Sequence, residues 1–166
     1  MRKVSLMVKF AMLFAAVLIL SAGSAQSGEG RFKAVEKGVI LDTTTGLHWT
    51  EDASTPTIGK CKGGAMIWDE AIAYVRCLNA SSYLGHNDWR LPETKELISL
   101  IDYSQYRPAF PLGHLFKNLT GLSSHYWSAS TNADGTGSSR SVVMWSGQVH
   151  YEGGSSGYAW PVRAGQ

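Results

Sequence analysis

Apolar residues between Trp68 and Leu78 fall at positions 68, 71, 72, 75 and 78, the i, i+3, i+4, i+7 spacing that puts one stripe on a helix. The opposite face carries Asp69, Glu70 and Arg76. The two acids sit in the first turn, where the helix dipole favours negative charge. A second helix is predicted after Asn87-Asp88-Trp89-Arg90-Leu91. There Pro92 suits a first helical turn, Glu93 and Glu96 follow, and Leu97, Leu100 and Ile101 form a buried stripe.

Elsewhere the apolar runs shorten to strand length. Phe32 to Val35 and Gly38 to Leu41 are joined by a turn at Glu36-Lys37, and Asp42-Thr43-Thr44-Thr45-Gly46 turns the chain into Leu47-His48-Trp49, so the opening is a small meander. Residues 51–64, with Pro56, Gly59, Gly63 and Gly64, read as a loop. From Tyr126 onward, strands are predicted over 126–130, 141–145, 148–151 and 159–163, with Ser146-Gly147 where a hairpin turn belongs. Two helices within a mostly antiparallel sheet make the fold class α+β.

Ahead of this pattern, Arg2, Lys3 and Lys9 precede an apolar run from Phe10 to Leu20, and small residues follow through Ser21-Ala22-Gly23-Ser24-Ala25. A basic head, a short apolar centre and a small-residue exit predict a cleavable signal peptide over 1–25. A membrane span would need roughly 20 apolar residues. The expectation is a chain exported to the periplasm, the cell surface or the medium, with residues 26–166 as a single domain and no membrane span. No lipobox cysteine follows the signal, so no acyl anchor by that route is expected.

The signal also changes the charge. Three of the 15 basic residues and none of the 13 acids lie in it, so the remainder carries 12 against 13, a formal minus one. A nucleic-acid partner would call for a basic patch or stripe, and no Lys/Arg run supplies one. Six Trp, seven Tyr and 18 Gly point to many turns packed on aromatic side chains. In an exported chain the two cysteines, Cys61 and Cys77, read as a disulfide tying the 51–64 loop to the first helix. A closed loop of about 15 residues would stabilise by about 3 kcal/mol.

The order of motifs resembles the Lcl C-terminal domain family, named for a bacterial collagen-like adhesin. The resemblance rests on Thr45-Gly46-Leu47-His48-Trp49, the helix start Trp68-Asp69-Glu70-Ala71, the phrase Asn87-Asp88-Trp89-Arg90-Leu91-Pro92-Glu93-Thr94-Lys95-Glu96-Leu97, then Tyr126-Trp127-Ser128-Ala129-Ser130 and Trp160-Pro161-Val162-Arg163. It runs from about residue 31 to residue 164. The resemblance implies a C-type-lectin-like fold, related also to formylglycine-generating enzymes, on exported bacterial proteins. The namesake domain binds sulfated glycosaminoglycans and helps cells adhere. This chain lacks a collagen-like Gly-X-Y tract. It also has no cysteine in its C-terminal half, where formylglycine-generating enzymes carry their pair, so that chemistry is not expected.

Within this frame Asp88, Trp89 and Arg90 are expected to be structural: a turn, a core indole, and a guanidinium paired with Glu96 or Asp102. Asn87-Asp88 beside Trp89 resembles, in changed order, the Trp-Asn-Asp of calcium-binding lectins. A calcium cage needs six to eight oxygens, and no Glu-Pro-Asn-like partner is present. His48, His86, His114, His125 and His150 are scattered singly, without the spacing that sets two nitrogens on one helix face. No metal, cofactor or catalytic residue is expected. Asn79-Ala80-Ser81 and Asn118-Leu119-Thr120 match the glycosylation triplet, which carries no meaning in a bacterial chain.

Binding remains. The late region sets Tyr126, Trp127, Trp145, Tyr151, Tyr158 and Trp160 among Arg107, Lys117, Arg140 and Arg163, against only Asp134 and Glu152 over residues 103–166. Aromatic rings stack on sugar faces, and Arg forks match sulfate or carboxylate. The expected ligand-binding set is Arg107, Lys117, Tyr126, Arg140, Tyr151 and Tyr158, rimmed by loops 132–139 and 152–157. The ligand would be a glycan or sulfated polysaccharide, in adhesion or envelope contact. A protein-interaction or envelope-structural domain and an enzyme with an unrecognised site are the other readings, and a homo-oligomer stays open.

Overall fold

The computed structural model describes residues 30–105, 109–119, 125–131, 139–152 and 155–165. The predicted signal segment 1–25, Arg107, loop 132–138 and Gly153-Gly154 lie outside the described residues.

The opening meander forms as predicted: β1 (Phe32–Glu36), β2 (Val39–Asp42) and β3 (Leu47–Thr50) pair antiparallel in sequence order. Asp42 closes the turn after β2. Its carboxylate accepts from the Thr44 backbone N–H at 3.0 Å and the Thr45 hydroxyl at 2.9 Å, and it takes a two-point ion pair from Arg31 at 2.8 and 2.6 Å. Burial pushes this carboxyl up, but the Arg31 and turn hydrogen bonds outweigh it and hold it below its ordinary value. Arg31 also donates to the Ser99 carbonyl at 2.7 Å, tying the meander to the second helix.

Helix α1 (Trp68–Ala80) starts where the periodicity places it and buries Ala71, Tyr74, Val75 and Leu78. Glu70 reaches back to the Ile67 N–H at 3.1 Å, satisfying one of the donors that open a helix. Its last turn uses Asn79 as a clamp: the side-chain amide accepts from Trp89 N–H at 2.9 Å and donates to the Trp89 carbonyl at 2.8 Å. Asn79 is therefore committed to the fold. The disulfide Cys61–Cys77 joins α1 to the preceding loop, with Cα atoms 5.7 Å apart.

Helix α2 (Thr94–Ser99) is shorter than predicted. Pro92 lies before the first turn, because Glu93 stands in an extended cap position, with its N–H held by Glu96 at 2.7 Å. Leu100 and Ile101 follow the helix but remain buried with Leu97.

The C-terminal strands form two sheets with the meander instead of one. Strands β4 (His125–Thr131), β5 (Ser139–Val143) and β6 (Gln148–Glu152) make a three-stranded antiparallel sheet. The last strand, β7 (Val162–Ala164), pairs with β3 and completes a four-stranded sheet in the order β1-β2-β3-β7. Ala159, Trp160 and Pro161, predicted as strand, cross between the sheets. Pro161 has no N–H to give a ladder, and its carbonyl accepts from Thr50.

One core lies where the two sheets meet: Phe32, Ile40 and Trp49 face Tyr126 and Val142, with Leu97 of α2 and Trp160 between them. A second lies under α1, where Val39, Tyr74, Leu78, Trp89 and Trp127 meet. Trp160 is fully buried against Trp49, Phe110, Phe116 and Tyr126, with ring centroids 4.8 to 5.9 Å away, and its indole N–H donates to the Thr50 carbonyl at 2.9 Å.

Two stability changes follow. Trp160→Ala should cost about 3–5 kcal/mol in chemical denaturation, and replacing both cysteines by serine about 3 kcal/mol. Mass spectrometry of the unreduced chain should show it two hydrogens lighter than its reduced form. Free thiols there would remove the staple from the account.

Candidate functional site

Cross-strand register decides which of the expected ligand residues can meet. In the β5–β6 ladder Arg140 pairs with Tyr151 and Val142 with Val149, and side chains directly opposite share a face. Val142 is in the core and Val149 packs against it, so Arg140 and Tyr151 sit one step further out on the same face. Tyr151 is 60% exposed, and the Arg140 guanidinium carbon lies 5.2 Å from the centre of its ring. This is cation–π range. Ser128, fully buried on β4, donates to the Arg140 carbonyl at 3.0 Å and meets the Thr94 hydroxyl at 3.0 Å, which fixes the strand beneath the pair.

The hairpin turn is set by Gly147 at φ +72°, whose N–H returns to the Val143 carbonyl at 2.8 Å. A Cβ there would also press on Ile101 and Tyr103 at 3.1 Å, so glycine is required twice over. Strand β5 begins two residues earlier than predicted, which leaves Met144 and Trp145 in the turn region.

The other expected ligand residues are placed differently. Tyr126 pairs with Val142 on the inward face and is fully buried against Trp160 and Tyr158, so its ring is core. Tyr158 is partly buried against the same core. Lys117 extends from a separate segment beside β3 and pairs with Glu51 at 2.9 Å. Trp127 and Trp160 are also core. Of the six, the described structure brings Arg140 and Tyr151 together at the surface and Tyr126 and Tyr158 together against the core.

Asp88, Trp89 and Arg90 are each engaged within the fold. Trp89 is buried and donates its indole N–H to the Tyr83 carbonyl at 2.9 Å. Arg90 makes a two-point pair with Glu96 at 2.7 and 2.8 Å, and Asp102 instead caps Ser104. Asp88 pairs with Arg163 at 2.8 Å. The guanidinium of Arg163 is almost fully buried and also donates to His48 Nδ1 at 2.9 Å. Beside this group His86 Nε2 meets Glu36 at 2.9 Å.

Sequence reading missed this Arg163–His48–Asp88 cluster, because its members lie 75 and 115 residues apart and meet only when β7 joins β3. It likewise missed the approach of His125 and His150, with ring centroids 4.9 Å apart across β5. Among the described residues, no three or more His, Cys, Asp or Glu side chains gather as a metal could use them.

The carboxylates held low each have a structural cause. Asp88 is held low by the Arg163 hydrogen bond. At Asp52 and Glu96 burial works upward but is outweighed, at Asp52 by Ser54 and Asn118 and at Glu96 by Arg90.

Fold and site together define a small, disulfide-stapled α+β domain built on two antiparallel sheets. The chain belongs to the Lcl C-terminal domain family, whose model matches residues 38–163. That span runs from just before β2 into β7. No curated protein matches the chain.

Burial and then the Arg163 charge hold His48 below its ordinary value of 6.5, partly offset by Glu36 and Asp88. With Nδ1 accepting from Arg163, the neutral ring carries its proton on Nε2. The stability tied to neutral His48 is fully present above pH 6.5 and is lost as pH falls from there through the lowered folded value. His114, lowered by burial, acts in the same direction. His48→Gln keeps an acceptor for Arg163, so it should reduce the fall of melting temperature below pH 6.5. An unchanged slope would exclude His48 as a source.

Proposed function

We propose that this chain is an exported, non-enzymatic binding domain that takes a glycan or sulfated polysaccharide on the Arg140–Tyr151 face of its β5–β6 hairpin. The observation that carries the reading is the exposed Tyr151 ring with the Arg140 guanidinium 5.2 Å from its centre. A ring face beside a cation offers a sugar both an apolar platform and an anion-matching fork. Export is supported by the signal-like N-terminus and fits a structure with no free cysteine among the described residues. No described helix is long and apolar enough to cross a membrane.

A glycan array carrying sulfated and neutral polysaccharides, read at two salt concentrations, tests this. Binding to sulfated chains should weaken with salt, and Arg140→Ala or Tyr151→Ala should each cost about tenfold in affinity at unchanged melting temperature. Binding that ignores both substitutions would sink the proposal.

The second reading is a protein-interaction domain. It is favoured by Tyr103 and Leu112, 71% and 84% exposed, of which Tyr103 packs over the turn of the same hairpin. No affinity for any glycan, with a protein partner lost on Tyr103→Ala, would establish it instead.

A further inference from the structure

A cleft of about 300 Å³ opens between α1 and the loop tied to it by the disulfide, far in sequence from the hairpin. Its lining is more apolar than polar: Met66 and Tyr74 are buried, Ala73 flanks them, and Cys61 and Cys77 complete the wall. Its rim carries Lys60 and Lys62.

The walls are fixed without any ligand. Ile58 and Cys61 exchange backbone hydrogen bonds at 3.0 and 2.8 Å, and Met66 and Gly157 exchange theirs at 2.8 and 2.9 Å. The Met66 carbonyl also accepts from the Trp127 indole at 2.8 Å. Gly63 donates to Thr57 at 3.0 Å, and a Cβ on it would lie 2.1 Å from the Thr55 carbonyl, so the loop is drawn as close as glycine allows. The Tyr74 hydroxyl donates to the Pro56 carbonyl at 2.7 Å, and burial pushes this phenol up, which keeps it a donor. A cleft held open this way loses little conformational freedom on binding.

Its charges are unequally committed. Glu70, the acid on the lining, has one carboxylate oxygen on the Ile67 N–H. Lys60 and Lys62 are exposed and have no ion-pair partner among the described residues, whereas Lys95 and Lys117 pair with Glu93 and Glu51. A partly apolar slot carrying Lys60, Lys62 and Glu70, a net charge of plus one, favours a ligand with an apolar body and a negative end. The volume lies at the small end of ligand sites, room for about one ring.

We propose that this cleft binds a small ring compound bearing a carboxylate, sulfate or phosphate ester, with the ring against Met66, Tyr74 and the disulfide and the anion at Lys60 and Lys62. The site shares no residue with the Arg140–Tyr151 face, so each can fail without the other.

Phenyl sulfate titrated into the oxidised chain, labelled at the methionine methyl groups, tests the assignment. The Met66 methyl resonance should shift saturably while that of Met144, buried in the other core, stays in place. Neutral benzyl alcohol should bind at least about fivefold more weakly, and Lys60→Ala with Lys62→Ala should remove about that factor for phenyl sulfate alone, as expected for two exposed charges. Ala73→Trp, a substitution at an exposed helix position, should fill the cleft and abolish the shift with both lysines intact.

A sulfated disaccharide run in parallel separates the sources. A Met66 shift with it identifies the end of a polymer, and a shift with phenyl sulfate alone identifies a free small molecule. No saturable shift with either compound, equal binding of benzyl alcohol, or undiminished binding by folded Ala73→Trp protein would overturn the proposal.

Discussion

Trp160 and the short segments on either side of it, residues 157–159 and 161–162, hold the two sheets together. Before Trp160, Gly157 pairs with Met66, Tyr158 with β4, and Ala159 gives its N–H to the Thr55 hydroxyl while its carbonyl accepts from the same group. After it, Val162 exchanges both backbone hydrogen bonds with Arg90 at 2.9 Å and pairs with Trp49 in the first sheet. The Trp160 ring fills the space this crossing creates. Thr50, whose carbonyl takes its indole N–H, lies 110 residues away in the chain. Almost every such contact is long-range, so loop-closure entropy opposes each until the others form. The cores and the closing segment are therefore expected to assemble together.

The phrase from Asp88 to Leu97 is the counterpart of that segment. Asn79 holds the Trp89 backbone from α1, Arg90 bonds Val162 through its backbone and Glu96 through its side chain, and Asp88 receives Arg163. The charges of Arg90, Glu96 and Arg163 are stable here because each is hydrogen-bonded at more than one point. Removing one partner would leave a desolvated charge behind. In this stretch the polar groups of Arg90, Glu96 and Asp88 are already matched to partners within the fold.

The two proposed binding surfaces lie away from this matched network. Arg140 and Tyr151 are at the outer end of a sheet face whose inner end is core, and Lys60 and Lys62 rim a cleft whose walls are held by the disulfide and by bonds to the second sheet. Both lean on rigid elements, which lets exposed side chains keep a defined position at small entropic cost.

The sequence by itself determined the α+β class, the meander, the start of α1, the glycine of the hairpin turn and the disulfide. Those features follow from local periodicity, turn chemistry or short spacing, and local rules hold whatever the rest of the chain does. Only the tertiary structure decided that the strands divide into two sheets, that Tyr126 lies at the covered end of its sheet face while Tyr151 lies at the open end of the same face, and that Arg163 meets His48 and Asp88. Alternation along a strand says that neighbours point opposite ways, but which way is inward depends on what covers each face. At β4 to β6 both faces are covered in part, by the inter-sheet core and by the cluster under α1. The aromatic residues there carry the same signal along the whole sheet, and the distant segments that bury one end of a face and leave its other end open settle which ring is exposed.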